Sequence, residues 1–397
     1  MAIGAALAVA AFVVVACSGS VSEVPSEAPT TSTGGSSGPR PTAPTASATS
    51  SATPTRTATA TPSPSPDYLS SLVASASGEG HLQPGSDPSA LAVPILIADK
   101  LNNRVIIVDP QGRVIWQYPR PGDLKPGETF AVPDDAFFTP DGKQIVATEE
   151  DDEIIRVIDL QTHTVTYHYG TAGIAAATAG HVHHPDDALM LPGGTIMSAD
   201  IMNCRLIAIP AGGTDISRQF GDGQCVHNPP ASYGSPNGAF PLADGNFLVT
   251  EINGSWIDEI SPKGELKWSV RLPSVAYPSD TNEVRPGVYL TVDYSASGQI
   301  VEFDNTGKIL WRYAPTGAQA LDHPSLALPL PNGDVLANDD YNHRVIVVDP
   351  RMNQIVWQYG VDHVAGDAPG LLANPDGVDL YPPDSLMITH AATVGRP

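Results

Sequence analysis

From about Leu91 onward, apolar and polar residues alternate in short blocks. Val- and Ile-rich runs of four to six residues are separated by Gly, Pro, Asn and Asp, and no long helical period appears. Such a texture predicts many short β-strands joined by tight turns. The blocks also repeat. Leu101 to Pro110 (LNNRVIIVDP) aligns with Tyr341 to Pro350 (YNHRVIVVDP) at seven of ten positions, and each runs into a Trp-Gln-Tyr ending at Trp116 and Trp357. Weaker copies begin with a Pro and a polar pair, at Pro133, Pro185, Pro236, Pro278, Pro324 and Pro375, spaced 42 to 52 residues apart. In each copy a second strand ends in an acid: Asp99, Glu149, Asp200, Glu251, Asp293 and Asp339. A third strand follows, and a fourth carries an aromatic at Trp116, Tyr167, Trp268, Trp311 and Trp357.

Counting the copies predicts the architecture. Six Pro-led first strands accompany six sets of second to fourth strands, but the set starting near Ile95 lacks its own first strand. The segment Pro375 to Leu380 is a first strand with no full set after it. Joining the two closes a ring, so the expected fold is all-β, a six-bladed β-propeller closed by its N- and C-terminal segments. A seventh, incomplete blade built on Ser385 to His390 is the alternative.

The first 66 residues read differently. Ala2 to Ala16 is apolar or small and carries no charge, too short to span a bilayer and of a length suited to a signal peptide. From Ser18 to Pro66 nearly every residue is Ser, Thr, Pro, Ala or Gly, with no apolar periodicity from which to build a core. The expected organisation is a signal peptide over residues 1–16, a disordered Ser/Thr/Pro/Ala-rich tether over 17–66 beginning at Cys17, a transition segment over 67–90 and the propeller over 91–397.

Charge narrows the partners. With 43 acidic and 20 basic side chains the formal net charge is -23. The two acids and two bases of the tether cancel, so this charge belongs to the propeller. Nucleic acid is therefore not an expected partner, because phosphate recognition needs clustered Lys and Arg. Cations and small cationic or neutral ligands suit such a surface. Three cysteines leave no disulfide framework. Cys204 and Cys225 fall on neighbouring loops of one face, and export permits a disulfide between them.

Three resemblances follow. Val14-Val15-Ala16-Cys17 resembles the bacterial lipobox, although no Lys or Arg precedes the apolar run. That resemblance implies cleavage before Cys17, lipidation of Cys17 and an extracytoplasmic location on a bacterial cell membrane. Ala98 to Val105 and Asp339 to Val345 resemble NHL-type repeats. The Gly-x-x-x-Trp endings at Gly112 to Trp116 and Gly307 to Trp311 resemble the quinoprotein-type (PQQ-like) propeller repeat. The repeat resemblance covers about residues 91 to 390 and speaks to fold rather than chemistry. No PQQ is expected, since the adjacent-cysteine pair of quinone dehydrogenases is missing and the tryptophans suit packing between blades.

Candidate chemistry lies on one face, where second-to-third strand turns and blade-to-blade connections meet. Asp134, Asp186, Asn237, Asp280 and Asp376 open the inner strands. Six-bladed lactonases and related hydrolases hold Ca²⁺ with acids and amides at such a mouth, and hard cations favour oxygen donors. Alternatively each side chain caps its own Pro-led turn. His184 precedes Pro185 and His323 precedes Pro324, three blades apart. Zn²⁺ uses histidine, though Ca²⁺ ranks ahead of it here. A looser resemblance to arylsulfotransferase propellers makes the same two histidines catalytic candidates, with Leu191-Pro192-Gly193-Gly194 and Leu330-Pro331-Asn332-Gly333 following them. Within residues 91–397 no Gly-x-Ser-x-Gly elbow, phosphate loop or dinucleotide fingerprint is present. Two functions result: an exported, lipid-anchored binding module for a small-molecule or protein ligand, or a propeller enzyme of Ca²⁺-dependent hydrolase or sulfotransferase type.

Overall fold

A computed structural model describes residues 68–381. The leader, Cys17, the tether and Ser385 to His390 lie outside the described residues. Within them the chain forms six antiparallel sheets, five of them with their strands in sequential order from one edge to the other. Blade 1 is built of Pro375–Leu380, Ile95–Asp99, Arg104–Val108 and Val114–Tyr118, so the last described strand pairs with the first. Blades 2 to 5 begin at Pro133–Phe138, Pro185–Met190, Pro236–Pro241 and Pro278–Arg285, and blade 6 at Ala327–Pro329. The six-bladed ring expected from the repeats is the observed fold.

Two details differ from the repeat pattern. The fourth strand of blade 3 is only Arg218–Phe220, because a loop with Gly212, Gly213 and Pro210 replaces the usual hairpin. The inner strand of blade 6 starts three residues after Pro324, since the Ser325 and Leu326 backbone is engaged elsewhere: Leu326 N–H donates to Asn338 Oδ1 at 2.7 Å.

The second strands, such as Ile95–Asp99, are buried along their whole length, which explains their continuous apolar runs. Fourth-strand aromatics tie blades 1, 2 and 6 to the next blade. Trp116 Nε1 donates to Leu160 O of blade 2 at 2.8 Å, Tyr167 Oη to Gly213 O of blade 3 at 2.6 Å, and Trp357 Nε1 to Pro110 O of blade 1 at 2.9 Å. Each thus buries its ring while its polar tip is satisfied. Residues 80–90 run beside the outer strand of blade 6: Gln83 N–H donates to Gln358 O and Asp87 N–H to Val356 O. This contact covers a sheet edge that would otherwise be free to pair. Before it, helix Tyr68–Ser75 buries Leu69 against blades 1 and 2.

The acid at the end of each second strand has a structural task. Asp99, Asp200 and Asp339 are fully buried, and each is followed by a 3₁₀ turn closed by a residue in the left-handed region. Arg104, Arg205 and Arg344 open the third strands and donate through Nε to these acids at 2.7 Å. Asn102, Asn203 and Asn342 donate to the same carboxylates. The remaining oxygen accepts a backbone N–H from the loop arriving from the previous blade: Ala373 on Asp99, His183 on Asp200 and Asp322 on Asp339, each at 2.7 Å. Glu149 and Arg156 do the same in blade 2, where Ala131 N–H is the backbone donor. One carboxylate therefore holds together a turn, a strand and the connection between blades.

Removing the cation from such a clamp strands a buried carboxylate, which costs about 3–5 kcal/mol. Arg205→Met is expected to lower the unfolding free energy by that amount in a urea titration followed by far-UV circular dichroism.

Candidate functional site

The inner strands start with a bulge. In blades 2 and 3 the pairing slips between Pro133 and Ala136 and between Pro185 and Ala188, and the next two inner strands slip in the same region. A bulge leaves residues outside the ladder and re-aims their side chains. The polar pair after each Pro thereby gathers at the central channel in two layers.

The upper layer is organised by Lys100, which follows Asp99 at the top of blade 1. Its ammonium pairs with Asp134, with Asp376 at 3.1 Å and with Glu150 at 3.3 Å. Burial works against the ammonium, but Asp376 and Glu150 outweigh it and hold Lys100 charged well above its ordinary range. Burial likewise opposes ionisation of Glu150, yet Lys100 and His184 bring its carboxyl to about 2. Asp134 and Asp376 thus bond to a cation rather than capping their own turns. Asp186 does accept the N–H of Asp187, at 3.1 Å.

The lower layer contains no cationic side chain. Carboxylate oxygens of Asp135, Asp187 and Asp280 lie within 4.8 Å of one another, all three residues being buried. Asp135 Oδ1, both Asp187 oxygens and Asp280 Oδ1 accept no hydrogen bond, and neither do the buried Asn237 Oδ1 and Thr250 Oγ1. Burial above all raises the three carboxyls well above the usual range; the charges of Asp186 and Asp376 add to it at Asp135, those of Asp280 and Asp135 at Asp187, and those of Asp135 and Asp376 at Asp280, where a hydrogen bond with Asp187 works the other way. Glycine makes room for them. A Cβ at Gly238 would press on Asp280 and lie 2.7 Å from Asp187 Oδ2 and 3.1 Å from Thr250 Oγ1, while one at Gly377 would press on Asp135. Asp280 itself sits at φ 36°, a costly backbone conformation for a residue with a side chain.

The two histidines stand at the rim. His184 and His323 both precede Pro and both have left-handed backbones, with φ 52° and 54°. His184 Nδ1 lies 3.4 Å from Glu150 and 3.8 Å from Asp151, and its Nε2 3.9 Å from Glu153. The Glu150 hydrogen bond, resisted by partial burial, raises its pKa. His323 lies 2.6 Å from Asp322 and packs edge-on to Tyr294 and Tyr341, with Tyr277 edge-on to Tyr294 in turn. The mouth therefore has an acidic side over blades 1 to 3 and an aromatic side over blades 5 and 6.

Of the residues singled out in the sequence, Asp134, Asp186 and Asp376 lie in the upper layer and Asp280 in the lower. Asn237 is buried beside them, donating to Ser279 Oγ at 2.9 Å. Asp135, Asp187, Lys100 and Glu150 were missed as site residues. One signal was available: the second Asp of Pro-Asp-Asp occurs in two adjacent blades, flanked by blades with Gly at that place. Cys204 and Cys225 form a disulfide with a Cα–Cα distance of 5.1 Å, tying the loop ahead of blade 4 to the top of blade 3.

Residues 205–368 match the family model described as outer membrane protein assembly factor BamB, a PQQ-type model, in keeping with the quinoprotein-type repeat. No curated protein matches the chain. Among solved structures, a protein of unknown function from Bacteroides caccae is 17% identical, with a TM-score of 0.51 over 72% of this chain and 97% of that one. The nidogen/laminin complex is 14% identical, with a TM-score of 0.50 over 72% of this chain and 97% of that one. Virginiamycin B lyase from Staphylococcus aureus is 17% identical, with a TM-score of 0.47 over 67% of this chain and 83% of that one. Identities this low speak to the propeller fold alone.

The His184–Glu150 contact generates a titration. Because the folded pKa of His184 is raised above 6.5, its pairing contributes stability below pH 6.5, and that contribution fades as pH climbs through the raised value. In a histidine NMR titration, His184 is expected to protonate at higher pH than an unperturbed imidazole, and Glu150→Gln to lower its midpoint. An unchanged midpoint in that variant would remove Glu150 as the cause.

Proposed function

We propose that the chain is an extracytoplasmic binding module whose channel holds a hard divalent cation, Ca²⁺ by preference, beneath a mouth that receives a small neutral or cationic ligand. The observation that carries this reading is the lower layer. Three buried carboxylates lie together with no cationic side chain among them, and the unpartnered Thr250 hydroxyl crowds the same glycine, Gly238, as Asp187 and Asp280. An all-oxygen donor set of this kind suits Ca²⁺, and an ion there would offset the cost of burying like charges. Lys100 supports the other half of the proposal. Its ammonium already occupies the acidic upper layer, and a cationic group is what the Tyr277, Tyr294 and Tyr341 side of the mouth accommodates best.

Location follows from other features. The lipobox resemblance at Cys17 and the match of blades 3 to 6 to an outer-membrane assembly family support an exported, lipid-anchored protein at the cell surface or in the periplasm. Among the described residues no helix is long and apolar enough to cross a membrane; in this reading the lipid on Cys17 supplies the attachment.

Calorimetric titration of the chelator-treated full chain with CaCl₂ is the test. One Ca²⁺ per chain is expected, with a rise in melting temperature because ion binding favours the folded state. Asp187→Asn and Asp280→Asn are each expected to weaken binding at least tenfold. An absence of binding by the parent chain would refute the cation, as would variants that titrate like the parent.

A further inference from the structure

Blade 4 departs furthest from the arginine clamp of blades 1, 2, 3 and 6. Asp99, Glu149, Asp200 and Asp339 each face an arginine. In blade 5 the partner of Asp293 is the neutral Gln299, whose Nε2 donates to Oδ2 at 3.0 Å. In blade 4 the corresponding acid is Glu251, and the third strand supplies no base. Trp256 takes the position of Arg104, and Asp258 the position that Arg156 holds in blade 2. Two carboxylates thus meet in the interior, both fully buried.

What reaches them is His227, from the loop pinned by Cys225. Its Nδ1 lies 2.9 Å from Glu251 Oε1 and 3.7 Å from Asp258 Oδ2. The ring stacks flat on Trp256 at 4.0 Å, and Nε2 lies 3.4 Å from Ser269 Oγ. Asp258 faces Glu251 and the Ser269 hydroxyl, and burial together with Glu251 raises its carboxyl to about 8. The Tyr233 hydroxyl is buried without a partner, close enough to Asp258 and Glu251 for their charges to add to burial in raising its pKa. Glu251 Oε2 is engaged by the Gly234 N–H, which leaves Oε1 directed toward the imidazole.

We propose that His227, Glu251 and Asp258 form a second metal site, separate from the channel, that takes a borderline ion of the Zn²⁺ kind with the Tyr233 oxygen beside it. One imidazole nitrogen and two carboxylates are a donor set that zinc accepts and that calcium, which favours oxygen alone, does not select. A dication balances the two carboxylates and supplies the charge that arginine supplies in the other blades. Ser269 is placed to accept the Nε2 proton, leaving Nδ1 as the free donor atom, and Trp256 holds the ring plane. The ion would fasten the disulfide-bearing loop to blade 4, which is the task of the arginine clamp elsewhere.

Zinc titration of the metal-free full chain, with stoichiometry from elemental analysis and tryptophan emission as a second readout, tests this. The parent and Asp187→Asn are expected to bind one zinc alike, with a change in emission from the Trp256 indole beneath His227. His227→Gln is expected to lose at least tenfold in zinc affinity. Asp258→Arg recreates the Glu149–Arg156 pair of blade 2, so it is expected to fold, to melt no lower than the metal-free parent and to bind no zinc at this site. The proposal is overturned if the parent takes up no zinc at micromolar concentration, or if His227→Gln and Asp258→Arg retain the parent's affinity. Loss of zinc from Asp187→Asn with retention in His227→Gln would assign the ion to the channel and equally overturn it.

Discussion

A buried carboxylate shared by three segments is the interaction on which the ring depends. Each blade is only four strands wide and cannot cover its own faces. Neighbouring blades must therefore meet at a fixed angle. The second-strand acid sets that junction by accepting from the third-strand arginine, from the turn asparagine and from the incoming loop backbone together. A charge buried in this way is tolerated only because nearly every lone pair is used. Its value lies in the geometry it enforces more than in net stabilisation.

The channel extends the same electrostatic logic without the same solution. Packing six inner strands around an axis brings their first polar residues within a few ångströms of one another. In the upper layer Lys100 resolves the crowding with one ammonium among three carboxylates. In the lower layer Asp135, Asp187 and Asp280 crowd together with glycine on either side and no side-chain cation between them. Repeat symmetry is broken there: at the second place after the leading Pro, blades 1, 4 and 6 carry Gly, Gly and Leu, whereas blades 2, 3 and 5 carry aspartate. The same contrast marks blade 4, where replacement of arginine by Trp256 and Asp258 converts a clamp into a cluster of metal-ligating groups. Departures from the repeat, more than the repeat itself, are where the chemistry resides.

Much of this was legible in the chain. Strand count, the ring closure through Pro375 and the acid ending each second strand follow from periodicity, because a repeated local pattern forces a repeated local structure. The Cys204 and Cys225 pairing and the acidic character of the top face were also open to reading from the chain. Asp134, Asp186 and Asp376 each follow a blade-leading Pro directly, and Asp280 stands one place further on, after Ser279. Asp135 and Asp187 occupy the same second place as Asp280, and the bulge that brings this place to the channel has no sequence signal of its own.

By itself the sequence determined a six-bladed, closed, acidic propeller, since hydrophobic periodicity and turn residues act over a few positions and need no distant partner. Only the tertiary structure decided which charges meet. Lys100 joins Asp376 across 276 residues, and His227 meets Asp258 through a loop whose path is set by a disulfide. Electrostatic contact depends on distance in space and on the local exclusion of water, and neither is written in the spacing of residues along the chain.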